Sequence, residues 1–371
     1  MALILSHTSA CEYWLSPYAS SDYMPLLNYD LNSVFFNQSD FSKGSRQGTK
    51  NSRREFLPIN FLYYDSARSL HSEPETIRKN SNIALSLIDL EKVSSFAGSM
   101  EETFSTPLHA MVFRRDNRRK NDKVVFHVCS SKLPPRTFYC LEPDVYVVSP
   151  ELCFIQMANE LSEIELLKLG YDLTAQYSLM PQGRFVFRAP ITNQKRLIET
   201  AKYLSGFKGI KKAHRVLPYI CDNAASVREA ELAMLLSLPC SRGGFGLPKP
   251  MLNVAIAIPK AKRNLFMKDY YVCDLFWGDA LLAIEYDSDQ YHMDIDRIGN
   301  DAAKRNALEL MGIKVVTVTN KQIKNNTELE VVARIVSKAL GRKFRISRGY
   351  DYPYRQTELR NKVLFSDRKK Y

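Results

Sequence analysis

Three short apolar runs follow one another in the last third of the chain, at residues 251–258, 270–277 and 281–287. Their length and their β-branched and aromatic content predict buried strands. Helices flank them. Ser226-Val-Arg-Glu229 is a capping box that opens one helix through Leu236. A second helix is predicted over residues 296–311, with Ala302, Ala303, Ala307, Leu308 and Met311 available for packing. Gly312 ends it, Ile313-Lys-Val-Val-Thr-Val318 reads as a further strand, and a last helix runs from Thr327 to Leu340. The predicted order is α-β-β-β-α-β around a central mixed sheet. Upstream, residues 5–15 predict an amphipathic helix, and the polar stretch 37–54 a linker or loop. Runs at 108–113, 124–129 and 144–148 predict strands, and Ser149-Pro150-Glu151 starts a helix through Phe154 and Leu161 towards Gly170. The fold class is therefore α/β, preceded by an α+β domain. The expected division is an N-terminal helix and linker over 1–55, a middle domain over 56–220, an α/β domain over 221–345 and a basic tail over 346–371.

No apolar run approaches the roughly 20 residues of a membrane span, and Met1-Ala-Leu-Ile-Leu-Ser lacks the basic start of a signal peptide. The seven cysteines are scattered without a Cys-x-x-Cys, which suits a reducing compartment and predicts a cytoplasmic protein. Net charge is +12, and residues 321–371 hold 14 Lys and Arg against 5 Asp and Glu. A second basic cluster, Arg114 to Lys120, is expected at a hairpin tip or loop. Such basic stretches, interleaved with Tyr350, Tyr352 and Tyr354, suit a polyanion such as nucleic acid.

The second and third strands of the last domain carry carboxylates where a buried strand should have none. Glu285 and Asp287 are two residues apart and share a face, and Asp274 on a neighbouring strand can reach the same spot. Three such acids repel one another and lose hydration, so a hard divalent cation is the simplest compensating partner.

That order of elements and acids resembles the PD-(D/E)XK nuclease superfamily, and within it the Vsr-like (very-short-patch-repair type) endonucleases and related bacterial domains. The resemblance covers residues 224–340. It rests on Glu229 in the opening helix, Gly246-Leu-Pro-Lys-Pro250, Asp274, Glu285-Tyr-Asp287 with His292 beyond, Asp301, Arg305 and Leu308 on the helix, and Gly312 to Thr319. It implies a metal-dependent DNA endonuclease, with Mg²⁺ or Mn²⁺ held by Asp274, Glu285 and Asp287 and double-stranded DNA as partner. The family's usual Lys, two residues after the acidic position, is Asp287 here, and Ser288 stands where relatives often have Gly. His292, Lys304, Arg305 or Lys314 could replace that Lys, and the sequence does not choose among them.

Several positions keep more than one reading. Glu229 is a helix acid approaching the metal or simply half of the capping box. Asp287 is a second metal ligand or a partner of Arg305. Arg305 contacts phosphate, as Lys304 and Lys314 could, or forms an i,i+4 pair with Asp301. His292 is a general base, a phosphate contact or a satisfied histidine; the remaining histidines suggest no site.

The middle of the chain, through Pro107-Leu-His109 and Val145-Tyr-Val-Val-Ser-Pro-Glu-Leu-Cys-Phe154, resembles AbiEi-like abortive-infection antitoxins. That resemblance implies the alternative function, a DNA-binding regulator with an inactive nuclease fold, and makes a toxin protein a candidate partner.

Overall fold

The computed structural model describes residues 3–16, 19, 104–115, 118, 122–134, 137–142, 145–179, 185–258, 268–287, 295–345 and 351–365. The chain is mixed α/β, and its described residues divide after Ile220 into two compact units.

The first unit is built on a five-stranded mixed sheet in the order β3-β2-β1-β5-β4, from β1 (Leu3–Leu5), β2 (Leu108–Val112), β3 (Val124–Val128), β4 (Phe138–Glu142) and β5 (Val145–Val148). β1 is the central strand, antiparallel to β2 through Leu5 and Ala110 and parallel to β5 through Leu3 and Val145. The N-terminal segment is therefore part of this unit, and the linker or loop expected over 37–54 lies outside the described residues. Three residues are too few to display a period of two, so β1 becomes legible only through its neighbours. The helix α1 (His7–Leu15) follows at once, and its Trp14 indole donates to the Val148 carbonyl at 2.9 Å. β2 and β3 pair in parallel, which excludes a hairpin between them; of the Arg114–Lys120 cluster, residues 116, 117, 119 and 120 lie outside the described residues.

After β5 come α2 (Pro150–Glu160) and α3 (Glu163–Thr174), two helices where one was expected. The break is at Leu161, because Ser162 and Glu165 form a second capping box. The small antiparallel pair β6 (Tyr177–Leu179) and β7 (Phe185–Phe187) precedes α4 (Gln194–Tyr203) and α5 (Ile210–Val216).

The second unit runs α6 (Val227–Ser237), β8 (Met251–Ala257), β9 (Tyr270–Trp277), β10 (Leu282–Asp287), α7 (Ile295–Leu310) and β11 (Lys314–Thr319), the α-β-β-β-α-β order read from the sequence. Its sheet has the order β11-β10-β9-β8; β8, β9 and β10 are mutually antiparallel, while β10 and β11 are parallel across the α7 crossover. Val254, Cys273, Phe276 and Ala283 on the strands, Ala307 and Leu308 on α7 and Met311 just past its end form one core. Gly312, with φ +78°, then turns the chain into β11.

Two short helices follow: α8 (Asn320–Lys324), started by a Thr319–Gln322 capping box, and α9 (Asn326–Ala339). Then α10 (Tyr352–Arg360) occupies part of what the charge pattern suggested was a basic tail. It buries Tyr352 and Leu359, and the Tyr352 hydroxyl donates to the Gly244 carbonyl at 3.1 Å. This docking explains the glycine run before β8: a Cβ on Gly243 would lie 2.3 Å from the Arg355 carbonyl oxygen. Among the described residues no helix is long and apolar enough to cross a membrane.

Candidate functional site

A polar row crosses the sheet of the second unit. Ile284 pairs with Leu275, so the next position sets Glu285 beside Asp274. Glu285 pairs in turn with Thr317 on β11. On the other side, the β8–β9 ladder is interrupted between its Leu252 and Val254 pairs, at Asn253, which lies opposite Asp274 with a left-handed φ of 51°. From α6, Glu229 reaches this row. Its Oε2 accepts from Asn253 Nδ2 at 2.5 Å and from the Ala225 amide at 2.9 Å, and its Oε1 accepts from the Ser226 hydroxyl at 2.7 Å. Asp274 Oδ2 accepts from the Tyr286 amide at 2.8 Å, which fixes that carboxyl across two strands.

Lys304 supplies the opposing charge. It lies one turn before Leu308 and two before Met311 on α7, so its stem follows the stripe facing the core and its ammonium reaches inward to Glu285 Oε2. Glu285 Oε1 is buried and has no hydrogen-bond partner among the described residues. The row opens into a cleft of about 490 Å³ whose lining includes Asp274, Glu285, Asp287, Asp301, Lys304 and Arg305.

The electrostatics follow from this crowding. Burial, then the Asp274 charge, raises the Glu285 pKa to about 8 against the opposing pull of Lys304. Burial raises Asp274 as well, again against Lys304, and burial followed by the Asp274 charge raises Glu229. Burial alone would lower Lys304, but the charges of Glu285 and Asp274 outweigh it and hold the ammonium above its ordinary range. The acids thus retain protons to unusually high pH around a lysine that stays charged.

The structure separates the sequence candidates. Asp274, Glu285 and Glu229 come together with Lys304, whereas Asp287 is exposed at the end of β10 and makes no ion pair with another described residue. The third converging acid is therefore Glu229: Ser226 caps its backbone amide, but its carboxylate turns to the Ala225 amide and Asn253 and does not close the expected capping box. Arg305 pairs with neither Asp287 nor Asp301: its guanidinium donates to Thr317 Oγ1 at 2.8 Å. Lys314 is at the far end of β11, opposite Leu282 and three residues before Thr317, roughly 10 Å along the strand, and is not in the cleft. His292 lies outside the described residues.

Among the described residues no group of three His, Cys, Asp or Glu side chains is arranged to hold a metal ion. The donors that suit a hard cation are the carboxylate oxygens of Asp274 and Glu285, and the orphaned Oε1 is the group that would gain a partner.

Sequence reading found no site among the upstream histidines, yet three of them meet in the first unit. The rings of His7 and His127 stack with centroids 3.6 Å apart, and His127 Nε2 lies 3.0 Å from His109 Nδ1. Burial, then the charges of His127 and His109, lowers the His7 pKa to about 3; burial, then His109, lowers His127 to about 4. Cys11 and Cys153 are neighbours of this cluster, with Sγ atoms 3.0 Å apart and Cys153 near the His7 carbonyl. No spacing signal could have grouped residues 7, 109 and 127, because the pairing of β2 with β3 brings His109 and His127 together and the start of α1 sets His7 on them.

No family model, no curated protein and no solved structure matches this chain.

Proposed function

We propose that the second unit is a divalent-metal-dependent endonuclease that hydrolyses phosphodiester bonds of double-stranded DNA, of the PD-(D/E)XK, Vsr-like kind its sequence resembles. The observation that carries this reading is the Asp274–Glu285 carboxylate pair with Lys304 at an open cleft, where one carboxylate oxygen is buried without a partner among the described residues. Buried acids that raise one another's pKa are costly to keep, and such groups concentrate at functional sites.

Asp274 and Glu285 would hold Mg²⁺ or Mn²⁺. When bound, the ion polarises a phosphoryl oxygen and makes water a stronger nucleophile near neutral pH. Tyr286 orients Asp274, and Asn253 and Ser226 orient Glu229 behind it. Lys304 takes the place of the missing strand lysine: it positions Glu285 and keeps a positive charge at the cleft where a phosphate would enter. Arg305, exposed and tied to Thr317, offers a second phosphate contact at the rim.

One observation favours a second reading, the DNA-binding regulator with an inactive nuclease fold. Lys304 already balances Glu285 internally, so the pair can persist without a cation. Calorimetric titration with Mn²⁺ discriminates the two. Saturable binding of the ion that disappears in Asp274→Asn supports the nuclease reading. Absence of binding at millimolar Mn²⁺ overturns it and leaves the regulator.

A further inference from the structure

The first unit carries a basic surface that the cleft chemistry does not use. Residues 194–216 hold seven Lys and Arg against a single acid, Glu199, a net +6 in a chain of net +12. They form the consecutive helices α4 and α5, which bury Leu197, Ala201, Ile210, Ala213 and Val216. Three of the seven cations have structural work. Lys212 donates to the Leu161 carbonyl at the end of α2, Arg215 pairs with Glu163 at 2.6 Å, and Arg196 is partly buried. Lys195, Lys202, Lys208 and Lys211 are exposed and have neither ion pair nor hydrogen bond with another described residue.

Their spacing narrows the partner. Lys195 and Lys202 are seven residues apart on α4, so they share a face about 10.5 Å apart along the axis. Lys208 and Lys211 bracket the start of α5 and add two more charges. Ammonium groups at that separation suit phosphates on either side of a B-DNA major groove, about 12 Å wide. Glu199, four residues after Lys195 and three before Lys202, is the single acid on this face, and its other charges are lysines, which points to backbone contact without sequence readout.

From this charge, exposure and spacing we propose that the α4–α5 surface of the first unit is a docking site for the phosphate backbone of double-stranded DNA, contacted by Lys195, Lys202, Lys208 and Lys211. The proposal stands independently of the cleft, since a chain with no nuclease activity would still present this surface. Four phosphate contacts predict a salt dependence of log K against log salt with a slope contribution of about −3.6.

The test uses the full chain, a fluorescent 30-base-pair duplex and EDTA throughout, so that cleavage plays no part. Binding isotherms at 50–250 mM salt compare the parent with Lys195→Gln/Lys202→Gln/Lys208→Gln/Lys211→Gln. A control, Lys321→Gln/Lys324→Gln/Lys338→Gln/Lys343→Gln, removes the same charge from exposed positions of the second unit. The four exchanges are at exposed positions, and matching circular dichroism melts establish that both variants fold. The expected result is a salt slope shallower by about 3–4 and at least about a tenfold loss of affinity in the α4–α5 variant, with a smaller loss in the control. The pairs Lys195→Gln/Lys202→Gln and Lys208→Gln/Lys211→Gln should each give about half the slope change. Equal losses in the two quadruple variants overturn the proposal, as does an unchanged slope. Tighter binding of an RNA duplex than of DNA overturns the choice of partner.

Discussion

Replacing Glu285 by Gln removes a charge while leaving the shape of the side chain almost unchanged. In the folded chain the Glu285 carboxyl has its pKa raised from 4.5 to about 8. Folded protein therefore holds this proton where unfolded protein has released it, between about pH 4.5 and 8. The sign follows: the contribution of Glu285 to stability is largest in acid and declines as pH rises through that window. A shift of about 3.5 units corresponds to about 5 kcal/mol by pH 9, of which about 3 is already lost at pH 7. Gln does not titrate, so the difference between Glu285→Gln and parent should grow in favour of Gln by up to about 5 kcal/mol from pH 4.5 to 9. Burial of the other acids reduces the measured figure wherever their protons move together. The assay is urea unfolding followed by Trp277 fluorescence in a Trp14→Phe background, because Trp277 lies in β9 and Trp14 in the first unit. Parallel pH dependences in the two proteins would refute the reasoning, since Glu285 would then ionise as freely folded as unfolded.

Other expectations follow from the same contacts. Lys304→Met leaves Glu285 buried without its cation and should cost roughly 3 kcal/mol at pH 8.5 but much less at pH 5; denaturant midpoints at the two pH values check this. The stacked histidines bind protons less readily folded than unfolded, so their contribution to stability is present above pH 6.5 and falls as the pH drops towards about 4 for His127 and about 3 for His7. An acid titration of Trp14 fluorescence should show the first unit loosening in that window, and His127→Gln should diminish the effect by up to about 3 kcal/mol. Gly244→Ala would place a Cβ 2.1 Å from the Leu238 carbonyl oxygen, so the second unit should melt several degrees lower in a thermal scan.

The residues show why some features were legible in the sequence and others were not. The strands β8 to β11 and the flanking helices α6 and α7 announce themselves by period and by caps, and the acids stand out because Asp274 and Glu285 interrupt apolar runs. The partner of Glu285 is another matter. Lys304 is one of several cations on or after α7, and only the docking of Leu308 and Met311 against the sheet selects it over Arg305 and Lys314. Asp287 has the right spacing for the face it shares with Glu285, but it falls at the strand end, where solvent can hydrate it. Glu229 carries two readings in the sequence, helix cap and site acid, and only its contact with Asn253 shows that one side chain serves both the helix start and the site. β1, the stacking of His7 on His127 and the docking of α10 depend on contacts between residues more than 90 positions apart, for which periodicity carries no signal.

The central claim is tested most directly by incubating the purified chain with supercoiled plasmid in Mg²⁺, Mn²⁺ or EDTA, beside the Asp274→Asn/Glu285→Gln double variant. The account predicts nicked or linear plasmid with either metal, none in EDTA and none from the variant. Cleavage by the variant at the parent's rate would contradict it, as would intact plasmid from the folded parent at every metal concentration.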